Sequence, residues 1–123
     1  MTLALWAFFI LTFSLLPRLP EVPGPFSNDK FSHAIAYAGF AFFLARVLHQ
    51  WRGGRFASNW QIWLLTMAFG GLVELLQSGM NIGRSAEWLD FFANGFGAWM
   101  ACVLMRHTRL RRLVHAKFTD NYK

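Results

Sequence analysis

Three stretches of this chain hold side chains suited to acid–base or anion-binding chemistry, and all three lie in or beside segments apolar enough to sit in lipid. They are Asp29-Lys30-Phe31-Ser32-His33-(x3)-Tyr37, Glu74-Leu75-Leu76-Gln77 and Arg84-Ser85-Ala86-Glu87-Trp88-Leu89-Asp90-(x3)-Asn94. His33 is the candidate general acid or base, with Glu74 and Asp90 as carboxylates able to orient an imidazole or a water. Lys30 and Arg84 can hold a phosphate or carboxylate, Arg84 through a bidentate grip that lysine cannot match. Asp29, Tyr37, Gln77 and Asn94 complete the candidate ligand-binding set. A charge near the middle of a bilayer costs at least about 2.5–3.5 kcal/mol, so segments that each carry one must bring those groups together or to water.

The elements that position these groups follow from composition and punctuation. The chain has 123 residues, 55% hydrophobic and 18% aromatic with only 15% charged, which is more apolar surface than a soluble domain of this size can bury. One transmembrane domain spanning 1–123 is expected, with apolar helices over about 2–16, 30–50, 60–77 and 87–105 and a basic tail over 106–123. The first helix stops at Pro17 and Pro20. Its 15 residues cover only about 23 Å of a core about 30 Å thick, so it needs its flanks or local thinning to cross. No basic residue precedes it, and Leu16-Pro17-Arg18-Leu19-Pro20 lacks a small-residue cleavage site, which predicts a retained span rather than a signal peptide. Turns are expected over Pro20–Asn28, at Gly53-Gly54 and over Ser78–Gly83. Short loops between consecutive helices predict an all-α, up-down-up-down bundle of four transmembrane helices. Ala34, Ala38, Gly39, Gly70, Gly71, Gly95, Gly97 and Ala98 would let the backbones approach closely.

Orientation follows from the basic residues. Arg46, Arg52, Arg55 and six more in the tail fall at one end of the bundle, and Arg18, Lys30 and Arg84 at the other. Basic loops are retained inside, so both termini are expected in the cytoplasm. The three chemical stretches then share the extracytoplasmic end. Lys30, His33 and Tyr37 fall on one helix face, as do Glu74 with Gln77, and Glu87 with Asp90 and Asn94. The cluster is expected to face the bundle interior near the outer leaflet.

Asp-Lys-(x2)-His-(x3)-Tyr at Asp29–Tyr37, Glu-(x2)-Gln at Glu74–Gln77 and Arg-Ser-(x4)-Asp-(x3)-Asn-(x2)-Gly at Arg84–Gly97 resemble, in order and interval, the signature blocks of the VanZ-like membrane proteins. The resemblance covers about 29–105, and the first helix fits by hydropathy alone. Met80-Asn81-Ile82-Gly83 lacks the proline of the family pattern. The resemblance implies a multi-pass protein of the bacterial cytoplasmic (inner) membrane. It also implies a cell-envelope context, since the namesake is associated with tolerance of the glycopeptide antibiotic teicoplanin.

The residues leave three functions open. His33, Glu74 and Asp90 could catalyse hydrolysis or transfer on a lipid-linked head group or an envelope peptide. The same pocket could bind an anionic lipid head group, a cell-wall precursor or an antibiotic without chemistry. Or the polar groups could form only an interhelical network, in a structural or accessory protein. Membrane lipids are the expected partners. No cofactor is expected, and no metal either, because His33 with Asp29, Glu74 and Asp90 lacks any metal-ligand spacing. Ser85 reads as a helix cap rather than a nucleophile. Cys102 reads as a core filler, and His49, His107 and His115 as interfacial or solvated. The net charge of +6 is distributed as a topology signal, which excludes nucleic-acid binding. A proton or ion pathway is disfavoured by the apolar cytoplasmic halves, Ala41-Phe42-Phe43-Leu44 and Ile62-Trp63-Leu64-Leu65.

Overall fold

The computed structural model describes residues 2–16, 29–54, 57–80 and 88–107, with the side chains of Asp29 and His107 outside that description. The described residues form four α-helices, α1 (Thr2–Leu15), α2 (Asp29–Trp51), α3 (Asn59–Met80) and α4 (Trp88–His107). Three of these, α2, α3 and α4, are long and apolar enough to cross a membrane. At 14 residues, α1 is shorter and reaches only about 21 Å at about 1.5 Å per residue.

The α2–α3 turn shows a local cause for the helix end on each side of it. α2 closes on Gly53 (φ 58°) and Gly54 (φ 86°), whose amides bond back to Gln50 O at 3.1 Å and His49 O at 3.0 Å. A left-handed conformation at a helix C-terminus is where glycine carries no steric penalty. α3 opens on a capping box: the Gln61 amide donates to Ser58 Oγ at 3.2 Å and the Ser58 amide to Gln61 Oε1 at 3.3 Å. Arg52 Nη1 donates to the same Gln61 oxygen at 3.0 Å and ties the turn shut.

Contacts fix the helix directions. Asn59, opening α3, donates to Cys102 O near the end of α4. Trp63 reaches Gly95 O, and Gly70 faces Asn94 near the start of α4, so α3 and α4 are antiparallel. α2 and α4 run parallel, from His33 against Asn94 through Ala34 against Gly97. α1 runs against α2, with Trp6 on Ala36 and Gly39 and Ser14 beside His33. The architecture is therefore an up-down-up-down four-helix bundle.

α2 makes its most extensive contact with α4, while α1 packs on α2 and α3. One apolar cluster joins Ala41, Ile62, Ala98, Ala101 and Cys102 with Ala57 of the α2–α3 turn. A second joins Ile10, Tyr37 and Phe40, with Phe40 stacked on Phe69 at 4.3 Å. Polarity is inverted relative to a soluble bundle. Ser14, His33, Thr66, Glu74, Gln77, Asp90 and Asn94 are buried, whereas Phe8, Phe13, Leu75, Phe92, Phe96 and Trp99 are exposed. Only a hydrocarbon solvent makes that arrangement favourable, and the chain is accordingly a membrane protein.

Two expectations are corrected. α3 continues through Ser78, Gly79 and Met80, which had read as a turn. The helix persists there at the modest cost of one glycine, which brings α3 to 22 residues. His49 is buried to 1% exposure rather than interfacial or solvated. It sits in the last full turn of α2, where the Gly53-Gly54 turn brings Ala57 back onto Leu48 and the apolar cluster. His115 and the side chain of His107 lie outside the described residues.

Candidate functional site

α2 and α4 enter the bundle side by side at the same end, and their first two to three turns carry His33, Tyr37, Asp90 and Asn94 inward. What permits this is Gly97. A Cβ there would collide with Ala34 O, and would lie 2.7 Å from Ala34 C and 2.9 Å from Ala34 Cα. Backbones this close bring side chains one turn away into direct contact. His33 Nδ1 lies 3.0 Å from Asn94 Oδ1. His33 Nε2 faces Asp90 Oδ2 at 3.9 Å, an ion-pair separation longer than a direct hydrogen bond. Lys30 Nζ stands 4.0 Å from the other Asp90 oxygen, with its side chain 45% exposed at the rim.

This geometry sets the chemistry of the imidazole. When Nδ1 donates its proton to Asn94 Oδ1, Nε2 is the nitrogen left facing the Asp90 carboxylate and able to exchange a proton with a bound molecule. Asp90 thus lies between a buried imidazole and a rim cation.

α3 supplies the remaining wall. Gly70 is flat enough for Tyr37 and Asn94 to meet over it, since a Cβ would lie 3.0 Å from Tyr37 Cε1 and 3.2 Å from Asn94 Nδ2. One turn on, the Glu74 side chain is buried as well. The His33 and Tyr37 rings lie parallel, 6.3 Å apart. Tyr37 is 1% exposed and Asn94 0%, and neither the Tyr37 hydroxyl nor Asn94 Nδ2 has a hydrogen-bond partner among the described residues. A buried donor left unsatisfied costs about 1–3 kcal/mol.

Gln77, in the candidate ligand-binding set, donates from Nε2 to Ser14 O at 2.8 Å. Ser14 belongs to the last turn of α1, where backbone carbonyls lack helical partners, so Gln77 caps a helix that ends inside the bundle. Arg84 and Glu87 lie outside the described residues, as does the Asp29 side chain.

Sequence reasoning did not single out Ser14, Ser32, Trp6 and Trp63. Ser14 and Ser32 line a cavity of about 280 Å³ between α1 and α2, together with His33 and Tyr37. Trp6 Nε1 donates to Ala36 O at 2.8 Å and Trp63 Nε1 to Gly95 O at 3.0 Å, each joining two helices. The available signal was the indole N–H itself, a donor that in an apolar span must find an acceptor. A larger cavity of about 620 Å³ lies beside α3 and α4 and is bordered by Glu74, Ser78, Trp88 and Phe91.

Among the described residues no group of three or more His, Cys, Asp and Glu side chains is placed to hold a metal ion. Apolar Ala41, Ala98 and Ala101 lie between the His33 cluster and His49. Compared with models of known families, with curated proteins and with solved structures, the chain finds no match in any of the three.

Proposed function

We propose that this chain is a VanZ-like protein of the bacterial inner membrane, with both termini cytoplasmic. In this reading the polar cluster at its outward end engages an envelope lipid head group or a cell-wall or glycopeptide-type ligand. The observation that carries it is the pair of deeply buried donors beside His33, Tyr37 Oη and Asn94 Nδ2, which the described protein groups do not satisfy. A purely structural network would have little reason to keep such donors where their desolvation is uncompensated. His33 then serves as the acid or base on a bound ligand, Asp90 holds its charge, and Lys30 meets an anionic group at the rim. Glu74 is the second buried carboxylate of the cluster. Arg84, two residues before Ala86 in the same motif, is the expected bidentate anchor for phosphate or carboxylate.

The test uses His33→Gln, Glu74→Gln and Asp90→Asn. Each is expected to abolish the glycopeptide tolerance that the parent confers on a host, with thermal midpoint and membrane abundance unchanged. If all three unfold the bundle, the second reading takes over: a structural or accessory protein whose polar groups only bind helices together. The bonds Gln77 to Ser14 O and His33 to Asn94 favour that alternative, because both join helices without a ligand.

A further inference from the structure

We infer that the groove between α3 and α4 is a binding site for a single hydrocarbon chain of a membrane lipid, taken from the leaflet on the side of His33. The site lies outside the polar cluster and needs no chemistry at His33.

α3 presents Ala68, Gly71, Leu72 and Leu75 to the groove, and α4 presents Trp88 and Phe91. Its volume of about 620 Å³ falls within the range of about 300–1,000 Å³ for small-molecule sites. Gly71 keeps it open, since a Cβ there would meet Phe91 Cε2 at 3.6 Å and no other side chain within 4 Å. The adjacent Gly70 turns instead to Tyr37 and Asn94. Groove and polar cluster therefore face different directions from neighbouring residues of α3. The walls are also free of exposed charge. Glu74 is the one ionisable residue among those lining the groove, and both of its carboxylate oxygens are buried, so an occupant meets its methylene stem.

Length and position choose the occupant. From Ala68 to Ser78 the groove follows α3 for ten residues, about 15 Å at about 1.5 Å each. That is half of a hydrocarbon core about 30 Å thick, the depth of one leaflet. Ser78 and Trp88 stand at the shallow end, near the close of α3 and the start of α4, where a hydroxyl and an indole suit the head-group boundary. Ala68 stands at the deep end. A hydrocarbon chain with its ester end toward Ser78 and its methyl end toward Ala68 matches both the length and the chemistry. The helix of a second copy would need a seam along the whole span, about twice as long.

The entry is sideways. Leu72 and Leu75 are exposed and form the lip that meets the bilayer. Lipid tails are as apolar as leucine, so burial alone does not favour the groove over the bilayer. Close carbon–carbon contacts with Phe91 and the α3 side chains supply the preference.

The experiment is photo-crosslinking of the full chain, purified in detergent, with phosphatidylethanolamine that bears a diazirine midway along one acyl chain. Adducts are mapped by peptide mass spectrometry. They are expected on Ala68, Leu72, Leu75 and Phe91 in preference to Leu5, Phe8 and Phe96, exposed residues outside the groove. The same probe built on phosphatidylglycerol is expected to give the same map. Ala68→Phe, at an exposed position, fills the deep end and is expected to lower groove adducts about tenfold, the worth of roughly ten carbon–carbon contacts. Leu5→Phe is the control and is expected to leave them unchanged. The parent's own map needs no variant: adducts spread evenly over the exposed apolar residues, or confined to one head group, overturn the inference. Groove labelling that survives Ala68→Phe overturns it too, as does a dimer in detergent with an unlabelled groove, which assigns this face to a second copy. His33→Gln is expected to keep the groove adducts while changing whatever the polar cluster does, and their loss would overturn the separation of the two sites.

Discussion

Gly97→Ala tests whether the close approach of α2 and α4 builds the site. The added methyl would lie 2.7 Å from Ala34 C, and ordinary contact begins at 3.4 Å, so the helices must part by about 0.7 Å to clear that atom and by more to clear the Ala34 carbonyl oxygen. No rotamer change relieves the clash, because the obstructing atoms are backbone. Overpacking of this kind costs about 1–3 kcal/mol, against a gain of about 1 kcal/mol from replacing a helical glycine by alanine. A net loss of up to about 2 kcal/mol is expected, read as a lower thermal midpoint in detergent. The control is Gly79→Ala, in the last turn of α3 with nothing within 4 Å, where only the propensity gain of up to about 1 kcal/mol remains. Asn94 lies one turn before Gly97, so the same parting stretches its 3.0 Å bond to His33, and any activity assigned to His33 should fall together with stability. A Gly97→Ala protein as stable as the parent, with Gly79→Ala no better, would refute the account.

Two other expectations concern the short helix and the topology. Gln77→Leu removes the bond that ties Ser14 O to α3, so a loss of about 0.5–1.5 kcal/mol in stability is expected, with protease sensitivity gained first in α1. An unchanged melt would show that the Gln77 amide is dispensable. In a background with Cys102 replaced by Ser, Trp51→Cys and Trp88→Cys, both at exposed residues, should label from opposite sides of the membrane with an impermeant maleimide. Trp88→Cys is expected to react in intact cells and Trp51→Cys only after lysis. The reverse pattern would overturn the orientation read from the basic residues.

The number, order and rough bounds of the helices were legible in apolar runs broken by Pro17 and Pro20, by Gly53-Gly54 and by Ser78–Gly83, the last of which begins inside α3. These are local signals, and locally decided features are what a sequence displays. The inward placing of His33 and Tyr37 on α2, Glu74 and Gln77 on α3, and Asp90 and Asn94 on α4 was legible as well, because spacing of three and four residues fixes which side chains share a face. What escaped detection depends on contacts between helices. The bond from Gln77 to the end of α1 cannot be read from either helix alone. His49 looks solvated in the sequence, yet it is buried in the fold. The α3 terminus was misplaced because Ser78-Gly79 reads as a turn signal, while one glycine costs a helix too little to end it.

Tyr37 and Asn94 separate what the fold needs from what the site needs. Both are fully buried on facing helices, and both border Gly70. Asn94 Oδ1 accepts a hydrogen bond from His33 Nδ1, so Asn94→Leu removes a buried bond between α2 and α4 and should cost about 1–3 kcal/mol. The Tyr37 hydroxyl bonds no described group, so Tyr37→Phe removes a desolvated donor and should leave the thermal midpoint unchanged or raise it. A residue whose polar atom burdens the fold is retained for something the fold alone does not require. If the cluster only joins helices, Tyr37→Phe is silent in ligand retention and in tolerance alike. If it forms a site, the same substitution yields a protein at least as stable as the parent that has lost affinity for its ligand, and no loss of packing explains that combination.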